Sequence, residues 1–349
     1  MSEQHDYSLP EWPYAHGGPV GNGDIKTLPE DFIVDERLPF APAGEGEHVF
    51  LLIEKVGENT DYVARALARY AGVRQRDIGF AGQKDRHART TQWFSIWLPG
   101  KQDLDWSALE TESIKINQVA RHARKLKRGV IASNRFQIRI RNWRGDRDAA
   151  EHRLQIIQQQ GFPNYFAEQR FGRDGQNVNK ALILGQGKKL KREQRSLYLS
   201  AIRAYLFNQV LAERVRRQNW RQPVSGDLCK LRQSNSLFKV ETVTEELEQR
   251  MKGGDIHATG ILFGKGEIDT AGEAGNMEKH VLDRYPELTE ILLKFDLDLG
   301  RRALRTMPEE LGWIFTDNGD LQVNFSLPAG SYATALLREL VVSETTVNR

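Results

Sequence analysis

The chain has 349 residues, 39% of them hydrophobic and 28% charged, with a formal net charge of only +3. It can bury a substantial core, and its length exceeds what one core usually supports, so two domains are expected. The near-balanced charge excludes nucleic-acid binding by bulk charge, so any such surface must come from local clustering. The single cysteine, Cys229, excludes an intrachain disulfide and suits a reducing compartment. The polar start has no apolar stretch of signal-peptide length, and no apolar run approaches a membrane span. A cytoplasmic, soluble chain with no membrane partner is expected.

In chain order, residues 1–24 are rich in proline and glycine and read as a poorly structured lead-in. Their GGPVGNG run lacks the Lys-Ser/Thr ending of a phosphate-binding loop. His48–Val56 (HVFLLIEKV) is a continuous apolar run of strand length, which predicts a buried strand. A helix follows, with Asn59 or Thr60 as N-cap, an apolar stripe at Val63, Leu67 and Tyr70, and Gly72 as its stop. Residues 79–95 read GFAGQKDRHARTTQWFS and lead into a strand-like run over 93–98. Asp85 is therefore expected on a loop between regular elements, beside Lys84 and just after Gly82. An adjacent ammonium favours the ionised carboxylate that a nucleophile or general base requires. The bland alternative is a surface Lys-Asp pair in a turn.

Residues 113–120 alternate and read as a further strand. Arg121, Arg124, Lys125, Lys127 and Arg128 then cluster within eight residues. Over 134–141, Arg135, Gln137, Arg139 and Arg141 share one face while Phe136, Ile138 and Ile140 share the other. Asp146 is placed to cap a helix ending near Gly161. From there the pattern turns helical. Its longest element spans about 191–218, carries an apolar face at Tyr198, Ile202, Tyr205, Leu206 and Val210, and has basic ends that include Arg214, Arg216 and Arg217. Thr242 and Glu245 have the spacing of a capping box opening a short helix that stops at Gly253. Strand character returns in Leu321–Pro328. Residues 1–159 with 307–349 are expected to form one domain, with 160–306 inserted.

The string GxKDRxAxTxQ around Asp85 closely resembles the signature of the TruD family, the tRNA pseudouridine(13) synthases. Four further blocks resemble that family in the same order: KTLPEDFIVDE from Lys26, SNRFQIRI from Ser133, NYFAEQRFG from Asn164 and FSLPAGSYATALLREL from Phe325. The resemblance implies an α+β fold, in which a mixed-sheet pseudouridine synthase catalytic domain carries an inserted, more helical α/β domain, with tRNA bound in the cleft between them. It implies an isomerase of tRNA uridine with Asp85 as nucleophile; Lys26 and Lys84 are candidate basic partners of Asp85 or of a nearby phosphate. Phe32, Asn134 and Tyr332 are the implied substrate contacts, although Phe32 in its alternating segment could equally be core and Asn134 a strand-end turn residue. We carry Phe136 with them, although alternation by itself places it in the core. Within that reading, Arg121, Arg124, Lys125, Lys127 and Arg128 are RNA phosphate contacts rather than merely a solvated face. Ala167 stands where the family commonly has glycine, and Tyr332 where phenylalanine is common.

The chemistry breaks the N1–C1′ bond of uridine, turns the base and rejoins it through C5, so neither cofactor nor metal is called for, and no obligate protein partner is implied. The base must leave its stack, which calls for an aromatic platform and partners for its edge. The main rival is a non-catalytic RNA-binding protein with a structural Asp85. A glycoside hydrolase would need a second carboxylate across the scissile bond, and nothing pairs Asp77 with Asp85. The eight histidines are scattered and no HExxH or CxxC occurs, so a metal site is not expected.

Overall fold

The computed structural model describes residues 6–100, 104–232, 234 and 236–343. The chain forms two compact units. A sheet unit comprises Val20–Ala150, Pro308–Gly330 and Val341–Arg349; a helical unit comprises Met1–Pro19, Glu151–Met307 and Ser331–Leu340.

The sheet unit opens with β1 (Gly21–Ile25), β2 (Phe32–Arg37) and β3 (His48–Val56). Helix α1 (Thr60–Ala71) buries Val63, Ala64, Leu67 and Ala68 at helical spacing. It ends at Gly72, which takes a left-handed φ of 63° and returns its N–H to the carbonyls of Ala68 and Arg69. Strands β4 (Ile78–Phe80), β5 (Arg89–Trp97), β6 (Ile114–His122) and β7 (Ser133–Gly145) follow. Along β7 the alternation holds: Phe136, Ile138 and Ile140 are buried and the intervening polar residues are not. Asp146 starts α2 (Arg147–Gln160) by accepting from the amides of Asp148 at 2.9 Å and Ala149 at 3.3 Å.

The helical unit continues with β8 (Phe162–Pro163), α3 (Asn177–Gly185), α4 (Arg192–Arg216), β9 (Leu228–Leu231), β10 (Leu237–Lys239), α5 (Glu245–Lys252), β11 (Ile256–Leu262), α6 (Gly272–Leu282), α7 (Pro286–Leu293), β12 (Gly300–Ala303) and β13 (Arg305–Thr306). The chain returns to the sheet unit with β14 (Glu309–Phe315) and β15 (Leu321–Pro328). It then visits the helical unit as α8 (Ala333–Leu337) and returns to the sheet as β16 (Val341–Ser343).

The large sheet has the order β14-β15-β7-β2-β5-β3-β6, with β1 joining β7 to β16 and β4 flanking β5. It is mixed: β2 runs parallel to β5 and β1 to β16, and the other pairs are antiparallel. Val49, Leu51 and Ile53 of β3 pack with Val63 and Leu67 of α1, whereas Phe50, on the opposite face, packs with Trp93 and Leu126. Burial on both faces is why β3 reads as an unbroken apolar run. Each such side chain contributes roughly 1.5–3 kcal/mol.

In the helical unit the sheet β10-β9-β11-β12 is antiparallel throughout, and β8 pairs with β13. Helix α4 buries Tyr198, Ile202, Tyr205, Leu206 and Val210 as its periodicity predicts. Three expectations are corrected. From Asp6 onward the lead-in is ordered: Tyr7 and Trp12 are buried, Trp12 stacks on Tyr165 at 5.7 Å, and β1 belongs to the sheet. Aromatic rings outweighed the proline and glycine signal because each buries a large apolar area. Residues Met1–Pro19 and Ser331–Leu340 group with the helical unit, a wider unit than 160–306, and Glu339 accepts from the amides of Ala15 (3.1 Å) and His16 (3.1 Å). The N-cap of α5 is Thr244, which accepts from Leu247 N–H at 3.3 Å, rather than Thr242.

Candidate active site

The expected GQKD loop lies between β4 and β5. It is tied down at several points by groups distant in sequence. Thr60 Oγ1 accepts from the Lys84 N–H at 3.0 Å and donates to Gln92 at 2.8 Å, while Gln92 Nε2 donates to the Gly82 carbonyl at 3.2 Å. Thr60 therefore spends its hydroxyl on the loop instead of on the helix end, and Asn59, the N-cap by backbone, makes no side-chain cap bond. Gly82 does not take a positive φ.

The unusual backbone is at Lys26 instead, with φ 61° just after β1. A non-glycine residue in that region costs about 1–3 kcal/mol and is held only where its surroundings demand it. Here the Lys26 ammonium lies 4.3 Å from the centre of the Phe32 ring and pairs with Asp85 Oδ2. The other carboxylate oxygen, Oδ1, accepts from the His87 N–H at 3.0 Å. Burial pushes the Asp85 carboxyl up, but the charge and hydrogen bond of Lys26, then the N–H and charge of His87, outweigh it and hold it below the usual 3.8. Asp85 is thus an ionised, partly buried carboxylate with both oxygens aimed.

Lys84 does not pair with Asp85. Its ammonium turns to Glu36 at 2.5 Å, a pair whose side chains are only 6% and 0% exposed. Glu36 Oε1 also accepts from the Trp93 N–H at 3.2 Å, so Lys84 anchors the loop to β2 and β5 while Lys26 serves Asp85. Neighbouring residues in an extended loop project to opposite sides, which is why adjacency in sequence misled.

Phe32 and Phe136 lie side by side, edge to face at 6.1 Å, and Phe136 stacks on Phe325 at 5.3 Å. Both are buried, so Phe136 supports Phe32 from the core, as the alternation indicated. Asn134 sits opposite Glu36 in β2 and Leu327 in β15, and its Oδ1 is buried with no partner. An amide oxygen without a partner in a buried position costs about 1–3 kcal/mol and invites a ligand donor.

The basic cluster divides. Arg121 donates to the Leu98 carbonyl at 3.1 Å and Lys125 to the Arg76 carbonyl at 2.5 Å. Arg124, Lys127 and Arg128 are exposed, around a buried Leu126 that fastens the loop. Among the basic ends of α4, Arg214 is buried in a bidentate pair with Asp227 at 3.0 and 3.1 Å, so it is not a surface cation. Arg216 and Arg217 pair with Glu213.

Tyr332 belongs to the helical unit. Its hydroxyl accepts from Arg170 Nε at 3.3 Å and Nη2 at 3.0 Å, and its ring meets Phe166 edge-on at 6.1 Å. Ala167 has φ −77° and ψ 164°, an extended conformation open to any residue, so nothing in the backbone requires glycine there. Among the described residues, no group of three or more His, Cys, Asp or Glu is placed to hold a metal ion, and no helix is long and apolar enough to cross a membrane.

The family model described as tRNA pseudouridine synthase D (TruD) matches residues 12–188 and 174–340. The chain belongs to the tRNA pseudouridine synthase D family. Within it, the chain is 48% identical to the tRNA pseudouridine synthase D of Methylococcus capsulatus over 331 residues, 94% of each chain. It is 42% identical to that of Hydrogenovibrio crunogenus, over 95% of this chain and 96% of the relative. A solved structure of a tRNA pseudouridine synthase D from Methanosarcina mazei superposes with a TM-score of 0.69 at 23% identity, covering 94% of this chain and 95% of that one, which supports the α+β fold.

The sequence reading gave no site role to Glu36, to Lys55, which donates to the Asp85 carbonyl at 3.4 Å, or to Gln92, although Gln92 closes the GxKDRxAxTxQ string, and it took Thr60 only as an N-cap candidate. Glu36 and Lys55 carried a signal. Each is a charged residue at a strand position whose period-2 neighbours are buried: Phe32 and Val34 for Glu36, and Val49, Leu51 and Ile53 for Lys55.

Proposed function

We propose that this chain isomerises uridine to pseudouridine in tRNA, at position 13 by family resemblance, with Asp85 as the nucleophile. The observation that carries the reading is the Asp85 carboxylate, ionised by Lys26 and the His87 N–H, in the family's signature loop. One Asp85 oxygen bonds transiently to C6 of uracil or to C1′ of ribose. The N1–C1′ bond breaks with its electrons on the base, the base turns, and C5 bonds to C1′. The C5 proton leaves, N1 gains a proton, and Asp85 is released as a carboxylate. Nothing is oxidised or reduced overall.

In this reading the flipped uracil lies against Phe32, and its N3–H donates to the unpartnered Asn134 Oδ1. Arg124, Lys127 and Arg128 meet tRNA phosphates, and by family resemblance Tyr332, in the helical unit, contributes an aromatic contact to the tRNA. The protein is incubated with unmodified tRNA transcripts and pseudouridine is mapped chemically at each position. Modification confined to position 13 is the expected result. Pseudouridine only elsewhere would reassign the target, and binding without any isomerisation would favour a purely RNA-binding role.

A further inference from the structure

Lys55 is wholly buried, on the inward face of β3 with Val49, Leu51 and Ile53. Its ammonium donates to the Glu58 carbonyl at 2.6 Å and to the Asp85 carbonyl at 3.4 Å. A lysine is rarely enclosed in this way without a carboxylate bonded to it. An apolar residue filling the same space is often neutral or stabilising. Both recorded acceptors are main-chain oxygens, and one belongs to the residue proposed as nucleophile.

We infer that Lys55 is a positioning residue for Asp85, a second cation that grips the main chain of the loop from beneath and leaves the carboxylate to Lys26 and the substrate. This rests on the assignment of Asp85 as nucleophile. The loop is then held at Gly82 by Gln92, at the Lys84 amide by Thr60, and at the Asp85 carbonyl by Lys55, with the last contact nearest the reacting group. The charged groups acting on Lys55 are Asp85 and Glu58, which favour the ammonium, and Lys84, which opposes it. Across the sheet it faces Thr90 of β5, whose buried hydroxyl has no partner, and Ile114 of β6. Burial lowers its titration from 10.5 to about 8, more than Asp85 and Glu58 restore. The grip is therefore fully charged below that pH and weakens as pH rises through it.

The test compares Lys55→Met, Lys55→Arg and Asp85→Asn, using unmodified tRNA transcript, single-turnover rates across pH, tRNA affinity and melting temperature. Rates are measured well below each melting point. Lys55→Met is expected to slow the chemical step about 10- to 100-fold, the size expected for a misplaced reacting group, with tRNA affinity unchanged. The wild-type rate should fall above about pH 8. Lys55→Arg should recover part of the rate and move that limb upward, because a guanidinium stays charged. If Asp85→Asn is inactive while Lys55→Met matches wild type in rate and pH profile, the inference is overturned and the Asp85 assignment stands. If Lys55→Met loses rate only in proportion to loss of folded protein, the role is structural and the inference fails. A wild-type pH limb in Lys55→Arg also overturns it. An active Asp85→Asn overturns the assignment itself, and the inference with it.

Discussion

Lys26 and Asp85 lie 59 positions apart in sequence, yet the ammonium of one pairs with the carboxylate of the other, and Lys26 accepts a left-handed backbone in forming the pair. Strain held at that point and a carboxyl kept below its ordinary range belong to one arrangement. The energy of the pair goes into keeping Asp85 ionised and aimed.

Lys26→Met should remove that support. Asp85 in the folded protein loses its proton below the ordinary 3.8, so wild type keeps an ionised carboxylate until the pH falls past that lowered value. The stability contributed by the pair has the same sign: present above the unfolded carboxylate value and lost as pH falls through the folded one. In the variant, burial acts without Lys26, and the acidic limb of the single-turnover rate should move upward. An unmoved limb would mean that Lys26 does not set the charge of Asp85.

Asp85→Asn should preserve the fold and tRNA affinity while turnover disappears, since the amide fits the site but cannot act as the nucleophile. Chemical mapping of pseudouridine beside a binding isotherm checks both halves. Substantial isomerisation by the variant sinks the mechanism.

Breaking the Glu36–Lys84 pair should destabilise the sheet unit. With side chains 6% and 0% exposed, removal of one partner strands a buried charge, at a cost of about 3–5 kcal/mol. Glu36→Gln and Lys84→Met should each lower the melting temperature clearly, and the double variant by less than their sum. Additive losses would show that the two groups do not support each other.

Salt dependence separates the two halves of the basic cluster. Neutralising Arg124, Lys127 or Arg128 should each lower the slope of log affinity against log salt by about 1 if each meets a phosphate. Arg121→Gln and Lys125→Gln should change the slope less, because these side chains donate to main-chain carbonyls. Slopes unchanged from wild type in all five variants would return the cluster to a solvated face.

Tyr332→Phe should keep most activity. The ring remains and Arg170 keeps its bond to Ser200 at 3.2 Å, so the loss should be about 0.5–1.5 kcal/mol, the worth of an ordinary hydrogen bond. Tyr332→Ala should lose roughly 1–3 kcal/mol of base stacking. Melting temperature measured beside the single-turnover rate separates a stacking role from a packing one. A stable phenylalanine variant with its chemical step abolished would promote the hydroxyl to a catalytic group.

Local sequence carried much of this protein. The bounds of β3 and β15, the Gly72 stop of α1, the Asp146 cap, the alternating faces of β7 and the loop bearing Asp85 all follow from periodicity and turn chemistry over a few residues. Those signals are short-range, and so is what they determine. Which lysine serves Asp85 was decided by the sheet. Pairing β2 parallel to β5, with β1 beside β7, brings Lys26 to the carboxylate and sends Lys84 to Glu36. The buried positions of Tyr7 and Trp12 in a proline-rich lead-in, the Arg214–Asp227 pair, and Lys55 beneath the loop likewise depend on partners that no window of residues contains. A charge is enclosed only where distant chain segments supply its acceptors, and chain adjacency does not encode that supply.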